Sequence, residues 1–457
     1  MKSNRRDLYE QLRKDYPFFV YEGFSYALDD SGLSISFDFN LSDKYHFRPE
    51  IRLPLPDKIR GDILSDSLIR NIIFNMGMIE LLSYWKAACP PKLIIKTMSL
   101  TEKQSEWWKK LYLNGLGEFF HENGIQPGHD FIQIEADGGV YMQKQAFEGN
   151  DEVLVPIGGG KDSVVTLELL SDKRNCRPFI INPRKASMAS AEIAGFKEEQ
   201  IIRLSRSIDP NLLELNAAGL LNGHTPFSAM LAFTSVLVAA TYGIGEIALS
   251  NESSANEPTI PGTSINHQYS KSLDFEEDFR DYISEYVTGG IDYYSYLRPL
   301  NEIQIAGIFS GFNAHFPSFK SCNVGSKTDS WCGACPKCLF TYIILAVFLT
   351  KDQLTDIFGE DLFEKEILLH PFEQLCGLAN EKPFECVGTL DEVNAALREI
   401  IKNCNGELPF LLQHYAKHPE KEVNTVEGMA SFLTAFEPNH IPSAEDIQLL
   451  KDKIHAL

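Results

Sequence analysis

Apolar and polar residues alternate near the amino terminus, and this pattern predicts a β-hairpin. In GFSYALDDSGLSISFDFNLS, from Gly23, apolar side chains occupy every second position on both sides of an Asp-Asp-Ser-Gly turn. Spacings of three and four residues then predict helices, and short apolar runs predict strands. The helices are SLIRNIIFNMGMIELLSYW and EKQSEWWKKLYLNGLGEFFHEN, and the strands are KLIIKT and DFIQIEA. We expect an α+β domain over residues 1–150 with a packing or substrate-shaping role.

From Val153 the pattern changes to short apolar strands that alternate with helices. The predicted strands are VLVPI, RPFIIN, EQIIRLSR and GEIALSN. This alternation predicts an α/β domain over residues 151–345, with a parallel sheet covered by helices on both faces. Ligands of such sheets bind at the carboxyl ends of the strands. Residues 346–457 have mainly helical patterns and are predicted to form a helical carboxy-terminal region.

The longest apolar stretch, PFSAMLAFTSVLVAATYGIG from Pro226, is expected to be a buried core helix. It contains Ser, Thr and Tyr and is interrupted by glycine, whereas a membrane span needs about 20 mostly apolar residues. The first residues, MKSNRRDLYEQLRKDYPFF, carry charges throughout and lack an apolar core of signal-peptide length. These features predict a cytoplasmic protein with no membrane partner.

A glycine-rich loop follows the strand VLVPI. A Walker loop would need glycine at Val155 and Ser or Thr in place of Asp162, so that template fails twice. A dinucleotide fingerprint fits only in part, because Ser163 occupies its last glycine position. The sequence GGGKDS, from Gly158 to Ser163, instead matches [GS]-G-G-x-D-S without a gap. It therefore resembles the PP-loop of the ATP pyrophosphatases, whose adenine nucleotide alpha hydrolase-like fold it implies for residues 151–345.

The residues of this loop suit a phosphate ligand. Gly158, Gly159 and Gly160 let the backbone approach an anion, and the helix that Ser163 begins adds N–H donors and a favourable dipole. Lys161 adds a positive charge.

Asp162 would be repelled by phosphate unless Mg²⁺ lay between them, which points to a metal-bound pyrophosphate leaving group. The alternative is a tight turn with an ordinary helix cap at Asp162 or Ser163. The resemblance implies that ATP is cleaved between its α and β phosphates and that AMP passes to an acceptor oxygen.

The net charge of the chain restricts the kinds of molecule that it can bind. The chain of 457 residues has 42 Lys and Arg against 63 Asp and Glu, a formal net charge of −21. General nucleic-acid binders need a cationic surface that replaces counterions, so we expect no nucleic-acid partner. One focused basic pocket can still bind a small anionic substrate.

Four of the nine cysteines lie close together in SCNVGSKTDSWCGACPKC. Their odd total and this clustering suit a reduced compartment and a metal site rather than disulfides. Two-residue gaps let thiolates converge on one ion, and four sulfurs complete the shell of a structural Zn²⁺. An iron–sulfur cluster is the alternative. The spacing also resembles the zinc site of the cyano-deazaguanine synthases, which are PP-loop enzymes. The candidate ligands are Cys322, Cys332, Cys335 and Cys338.

Four further segments carry a more specific resemblance. They are NGHTPFSAM from Asn222, LSNESSANEPT from Leu249, INHQYSKSLDFE from Ile265 and KPFECVGT from Lys382. With the PP-loop they resemble the ATP-dependent UDP-N-acetylmuramoyl-L-alanyl-L-glutamate epimerases of bacterial cell-wall synthesis, over roughly residues 150–400. The resemblance implies an isomerase that inverts the terminal glutamate of a UDP-linked muramoyl dipeptide, with ATP consumed and AMP and pyrophosphate released. Adenylating the carboxylate would make its α-carbon acidic enough to lose a proton.

The same segments supply candidates for the base and for nucleotide contacts. A base must lie within hydrogen-bond reach of the proton, which sequence does not reveal. His267 and Lys271 would share a face on a helix, and Lys271 can bind substrate phosphate instead. Two of the candidate residues have a structural alternative. For His224 it is a cap of the following helix, and for Cys386 it is a small, buried apolar side chain. The candidate bases are His224, His267, Lys271 and Cys386. The candidate Mg²⁺ or ribose ligands are Asn251 and Glu252, for which a solvated loop is the alternative.

Two other functions stay open on the sequence alone. One is a different PP-loop adenylating enzyme, such as a cyano-deazaguanine synthase-like ligase or a tRNA-modifying enzyme. The acidic balance and the lack of a basic, aromatic stripe argue against the tRNA version. The other is a catalytically silent nucleotide-binding module whose zinc knuckle organises a partner interface. The intact Lys161-Asp162-Ser163 argues against a silent module.

Overall fold

Strands occur up to residue 295 and helices along the whole described part of the chain, which confirms the mixed α/β class. The computed structural model describes residues 5–56, 63–260, 262–263, 265–325, 328–418 and 428–457. The strands are β1 (Phe18–Asp29), β2 (Gly32–Leu41), β3 (Tyr45–Phe47), β4 (Glu50–Leu53), β5 (Lys92–Ile95), β6 (Gln133–Ala136), β7 (Asn150–Pro156), β8 (Cys176–Ile181), β9 (Ile202–Arg206), β10 (Ile244–Leu249) and β11 (Asp292–Ser295).

Helices are most frequent in the carboxy-terminal part, as predicted. They are α1 (Arg6–Asp15), α2 (Ser67–Glu80), α3 (Leu82–Trp85), α4 (Glu102–Gly115), α5 (Gly117–Glu122), α6 (Lys161–Ser171), α7 (Lys185–Ile193), α8 (Pro210–Ala217), α9 (Phe227–Tyr242), α10 (Leu273–Tyr286), α11 (Glu302–Ser310), α12 (Pro336–Leu345), α13 (Lys351–Phe358), α14 (Leu369–Cys376), α15 (Leu390–Asn403), α16 (Phe410–Tyr415), α17 (Met429–Thr434) and α18 (Ala444–His455).

The chain divides into two compact units, and each unit is assembled from separate segments. The first unit comprises Met1–Leu154, Ile202–Ile247 and Ser264–Tyr293, and the second comprises Val155–Ile201, Ala248–Thr263 and Tyr294–Leu457. The consecutive division into residues 1–150, 151–345 and 346–457 groups the same elements differently and stays a prediction.

The predicted amino-terminal hairpin is confirmed in the first unit. Strands β1 and β2 pair antiparallel, and the pairing ends at Asp29 opposite Gly32. Gly32 has a φ of +125°, a conformation that glycine adopts without strain. The Asp29 carboxylate accepts the N–H of Ser31 at 2.7 Å, which fixes the turn between the strands.

Both parallel and antiparallel pairs build the sheet of the first unit. Its strand order is β9-β4-β2-β1-β5-β6, with β3 paired to β2. β5 lies parallel to both β1 and β6, whereas β9 pairs antiparallel with β4. The last pairing was not predicted, because the sequence placed β9 only among parallel strands. It joins a strand from after Val153 to the amino-terminal hairpin.

A glycine lets helix α2 lie close against this sheet. A Cβ atom at Gly77 would fall 1.9 Å from the hydroxyl of Tyr21, so a larger residue does not fit. The Tyr21 ring stacks on Phe74 with centroids 5.9 Å apart, and both side chains are buried. Apolar packing of this kind orders the first unit around β1 and β2.

The predicted strand VLVPI and the predicted core helix are also confirmed. β7 covers this strand and pairs in parallel with β10. Helix α9 covers most of the long apolar stretch, and 11 of its 16 residues are buried. Across the described ranges, no helix combines the length and the apolar character that crossing a membrane requires.

Candidate functional site

The glycine-rich loop lies between the end of β7 and the start of α6, as predicted. Gly160 is the N-cap of α6, and among the described residues no side chain caps this helix start. Asp162 and Ser163 lie inside the first turn, so the alternative of an ordinary cap at either residue is wrong. The first N–H groups of a helix lack partners within it, and an anion can accept them.

Close backbone packing explains the glycines at two positions of this loop. Gly159 has a φ of +87°, and a Cβ atom there would fall 2.8 Å from the backbone nitrogen of Ser187. A Cβ atom at Gly160 would fall 2.8 Å from Oγ of Ser321. Ser163 fastens the loop, since its hydroxyl donates to the carbonyl of Gly160 at 3.0 Å and accepts the N–H of Gly159 at 3.3 Å. Gly158 has open space around its Cα.

Lys161 is buried and forms ion pairs with two carboxylates. Its ammonium group contacts the side chains of Asp162 and Glu302. Burial lowers the pKa of Lys161, but the two carboxylates outweigh burial and raise that pKa above its ordinary value. Lys161 is therefore charged at neutral pH. In this structure the charge neutralises carboxylates, whereas the sequence prediction directed it to phosphate.

Three carboxylates converge beside the loop. Oxygens of Asp162, Glu252 and Glu302 lie within 4.8 Å of one another. Glu252 and Glu302 are buried, and Asp162 is partly exposed. Burial raises the pKa of Glu302 well above its ordinary value, and Asp162 and Glu252 add to this although Lys161 opposes it. A divalent cation would relieve this repulsion, and carboxylate oxygens are the ligands that Mg²⁺ prefers.

Buried polar contacts hold the backbone of two of these residues in place. Glu302 begins helix α11, where Asn301 and Gln304 form a capping box. The carboxylate of Glu392 accepts the N–H of Glu302 at 2.6 Å. The fully buried Arg298 donates to the backbone carbonyl of Glu252 at 2.6 Å. The cluster is therefore built on the ends of rigid elements.

The four clustered cysteines converge in the second unit. The sulfurs of Cys335 and Cys338 lie 3.4 Å apart, those of Cys332 and Cys338 3.7 Å, and those of Cys322 and Cys335 3.9 Å. Four sulfurs placed tetrahedrally around Zn²⁺ at about 2.3 Å are separated by about 3.8 Å. Hydrogen bonds from the thiol and the N–H of Cys338 outweigh burial and lower the pKa of Cys335 to about 5. These separations fit one tetrahedral ion, whereas an iron–sulfur cluster would distribute the four thiolates over two or four iron atoms.

Two predicted histidines meet in the first unit. Nδ1 of His224 lies 3.2 Å from Oε2 of Glu118, and Nδ1 of His267 contacts the same oxygen. The two imidazole rings are 4.6 Å apart between centroids. Burial lowers the pKa of His224 to about 4, and the neighbouring His267 adds to this shift. His224 is therefore neutral at physiological pH, and the close rings leave no room for a substrate carbon between them.

Lys86 fixes the loop that carries His224. Its ammonium group donates to the carbonyl of Gly223 and, at 2.5 Å, to the hydroxyl of Thr225. Burial lowers the pKa of Lys86 to about 8.

The titration of Lys86 predicts a pH-dependent stability. Between pH 8 and its usual pKa of 10.5, the unfolded chain retains a proton that the folded chain has lost. We expect the free energy of unfolding of the wild type, relative to Lys86→Met, to rise across this window by on the order of 2 kcal/mol. Urea titrations at several pH values measure this difference. Lys14→Met, at an exposed position, is the control, and a flat difference for Lys86→Met would contradict the assignment.

The remaining candidates lie elsewhere. Asn251 donates to Oγ of Ser295 at 2.9 Å, which gives its side chain a structural partner. His267 lies in a turn and Lys271 in a short 3-10 helix, so the two do not share the face of an α-helix. Lys271 belongs to the first unit and Cys386 to the second, and both are partly buried.

Two site residues were missed from the sequence. Glu302 follows the mostly apolar segment YLRPLN, and nothing in this local sequence marks a ligand. Glu118 lies within the predicted amphipathic helix pattern and has the appearance of a solvated surface residue. Only tertiary structure places these carboxylates beside Asp162 and His224 respectively.

Two family models match the chain. The model described as the MurL N-terminal domain matches residues 10–296, and the model described as the MurL C-terminal domain matches residues 318–427. Together they extend the similarity beyond residues 150–400 and into the amino-terminal segment. No solved structure matches the chain.

Three curated relatives are similar over most of their length, and each is named UDP-N-acetyl-alpha-D-muramoyl-L-alanyl-L-glutamate epimerase. The Xanthomonas oryzae pv. oryzae protein is 33% identical over 81% of this chain and 83% of its own. The Micromonospora sp. protein is 33% identical over 92% of this chain and 95% of its own. The Salinispora tropica protein is 33% identical over 82% of this chain and 83% of its own.

Proposed function

The chain belongs to the MurL family, and from this premise we propose that it is an ATP-dependent epimerase of UDP-N-acetylmuramoyl-L-alanyl-L-glutamate. The reaction inverts the terminal L-glutamate to D-glutamate for peptidoglycan synthesis. ATP adenylates the glutamate carboxylate, so that AMP and diphosphate are released. We place this reaction in the cytoplasm. The names of the relatives support the substrate, and the chemistry of the second unit supports the use of ATP.

The convergence of Asp162, Glu252 and Glu302 at the glycine-rich loop carries the proposal. Three carboxylates next to unfilled helix N–H groups suit a metal-bound phosphate chain: the carboxylates hold the cation, and the N–H groups hold the anion. In a turn with only a structural role, the repulsion among these three carboxylates would destabilise the fold without any compensating benefit. The pattern is that of a PP-loop, and we propose the corresponding fold for this part of the chain.

Each residue of the loop has a defined task in this proposal. Gly158, Gly159 and Gly160 let the backbone approach the phosphates, and Ser163 keeps the loop closed on α6. Mg²⁺, held by Asp162, Glu252 and Glu302, would supply charge neutralisation for the departing diphosphate. Lys161 keeps the carboxylates together before the cation arrives.

Adenylation serves to acidify the α-carbon. A free carboxylate resists a second negative charge beside it, whereas an adenylated carboxyl group can delocalise the charge of the carbanion. Reprotonation from the opposite face followed by hydrolysis gives D-glutamate and AMP. The base is among His224, His267, Lys271 and Cys386. Because the rings of His224 and His267 lie 4.6 Å apart between centroids, a substrate carbon does not fit between them, so this pair does not supply bases on its two opposite faces.

A direct assay tests the function. The protein is incubated with ATP, Mg²⁺ and the UDP-linked L-alanyl-L-glutamate substrate, and the chirality of the terminal glutamate and the AMP released are measured. We expect D-glutamate and AMP to appear together. AMP without inversion would favour another PP-loop adenylating enzyme, and the absence of both would contradict the proposal.

We propose that Cys322, Cys332, Cys335 and Cys338 bind a structural Zn²⁺. We expect Cys335→Ser to lose one zinc equivalent and to lower the Tm by roughly 5–10 °C, because metal binding contributes directly to folding. Metal analysis and a thermal melt check this result. Cys404→Ser, outside the cluster, should retain zinc and Tm. A brown, iron-containing protein would contradict the zinc assignment.

A further inference from the structure

Glu118, His224 and His267 come from three separate segments of the first unit. Glu118 lies on α5, His224 in the loop before α9, and His267 in the turn before α10. One ligand-type atom from each lies within 4.8 Å of the other two. All three side chains are partly buried, with between 12% and 19% of each accessible.

We propose that Glu118, His224 and His267 form a second metal site, for a first-row transition ion of the Zn²⁺ type. Two imidazole nitrogens and one carboxylate oxygen are the ligand set of many zinc sites that retain an open position. Ligands at about 2.0–2.2 Å from a tetrahedral ion lie about 3.4 Å apart. The 3.2 Å between Nδ1 of His224 and Oε2 of Glu118 is close to this separation.

The surroundings hold these ligands in place. Lys86 bonds the carbonyl of Gly223 and the hydroxyl of Thr225, on either side of His224. Asn123, just beyond α5, donates to the carbonyl of Asn222 at 3.1 Å and so ties the loop to the helix that carries Glu118. These contacts fix the backbone that carries His224 relative to the helix that carries Glu118. The ammonium group of Lys86 is directed to the loop backbone and Thr225.

The site has consequences for the chemistry of the first unit. Three protein ligands leave a fourth position, which an oxygen ligand such as water or a carboxylate can fill. A metal ion bound at Nδ1 of a histidine leaves the imidazole hydrogen on Nε2, so the ring has no free nitrogen to accept a proton. Neither His224 nor His267 would then act as a base. If the proposed reaction holds, the proton-transfer role would pass to Lys271 or Cys386. The site uses none of the residues proposed to bind ATP, Mg²⁺ or the structural zinc.

Zinc counting tests the inference without measuring activity. The full chain is stripped of loosely held metal and titrated with Zn²⁺ in a large excess of Mg²⁺, which keeps the cluster of Asp162, Glu252 and Glu302 occupied. It is then freed of excess zinc and analysed for zinc per chain. We expect two equivalents for the wild type and one for Glu118→Gln and for the double variant His224→Ala/His267→Ala. Glu118→Gln keeps the shape of the side chain and should weaken zinc binding at this site by roughly 10–100-fold, so that the removal of excess zinc also empties the site. His129→Ala, at an exposed loop position of the first unit, should keep two equivalents.

Cobalt substitution locates the ion. Co²⁺ in the cysteine cluster gives thiolate-to-cobalt charge-transfer absorption, whereas Co²⁺ on nitrogen and oxygen ligands gives only weaker visible bands. We expect Glu118→Gln to lose the weaker bands and to retain the charge-transfer absorption. One zinc equivalent in the wild type, or a second equivalent that survives in both variants, would overturn the inference. A failed epimerase assay would leave these zinc counts unchanged, so the two proposals fail separately.

Discussion

Asp162→Asn is expected to reduce AMP formation by about 100–1,000-fold while the protein stays folded. Asp162 is the most exposed of the three carboxylates, with 32% of its side chain accessible, so the substitution should disturb the fold little. The amide keeps the size of the side chain but loses its charge. The cation then loses one of its anionic ligands where the departing diphosphate develops charge. AMP release under saturating ATP and Mg²⁺ measures the effect.

Asp172→Asn is the matched control for this prediction. Asp172 is the exposed C-cap of the same helix, α6, and contributes no oxygen to the cluster. It should retain full AMP formation. An Asp162→Asn enzyme with wild-type turnover would remove the basis for a metal-assisted adenylation at this loop.

Lys161→Met is expected to destabilise the protein by about 3–5 kcal/mol, because it leaves buried carboxylates without their cation. Lys161 and Glu302 are both buried, and Asp162 and Glu252 lie beside them. Adding Glu302→Gln to Lys161→Met should recover part of the loss, since one of the unpaired charges is removed. Mg²⁺ should also stabilise Lys161→Met more than the wild type. Urea unfolding with and without Mg²⁺ measures all three effects.

The exposed residue Lys173 supplies the control for this series. Lys173→Met, just beyond α6, should change stability by less than about 0.5 kcal/mol. Strictly additive losses for Lys161→Met and Glu302→Gln would mean that the two side chains do not interact. That result would contradict the ion pair on which the description of the cluster rests.

The sequence predicted those parts of the fold that depend on local patterns. Alternation specified the hairpin of β1 and β2, and glycines followed by Lys161-Asp162-Ser163 specified the turn from β7 into α6. The clustered cysteines were also predicted, because short spacings force neighbouring thiolates together. In each case residues close in sequence determine the geometry.

Local sequence patterns could not predict the long-range pairings. The antiparallel contact of β9 with β4 joins residues about 150 positions apart, and no local pattern marks it. Glu302 and Glu118 were missed for the same reason, since each joins its cluster only through tertiary packing. From the sequence, His224, His267 and Glu252 were identified as candidate site residues. The carboxylates that complete their clusters, Glu118 and Glu302, were not.

Nucleotide analogues test the central claim, that cleavage between the α and β phosphates drives the inversion. The wild-type protein is incubated with the UDP-linked substrate, Mg²⁺ and either an ATP analogue with a non-cleavable α–β bridge or one with a non-cleavable β–γ bridge. The chirality of the terminal glutamate is then measured. We predict inversion with the β–γ analogue, with one AMP released per D-glutamate formed, and none with the α–β analogue. Inversion with the α–β analogue, or without any nucleotide, would contradict the account.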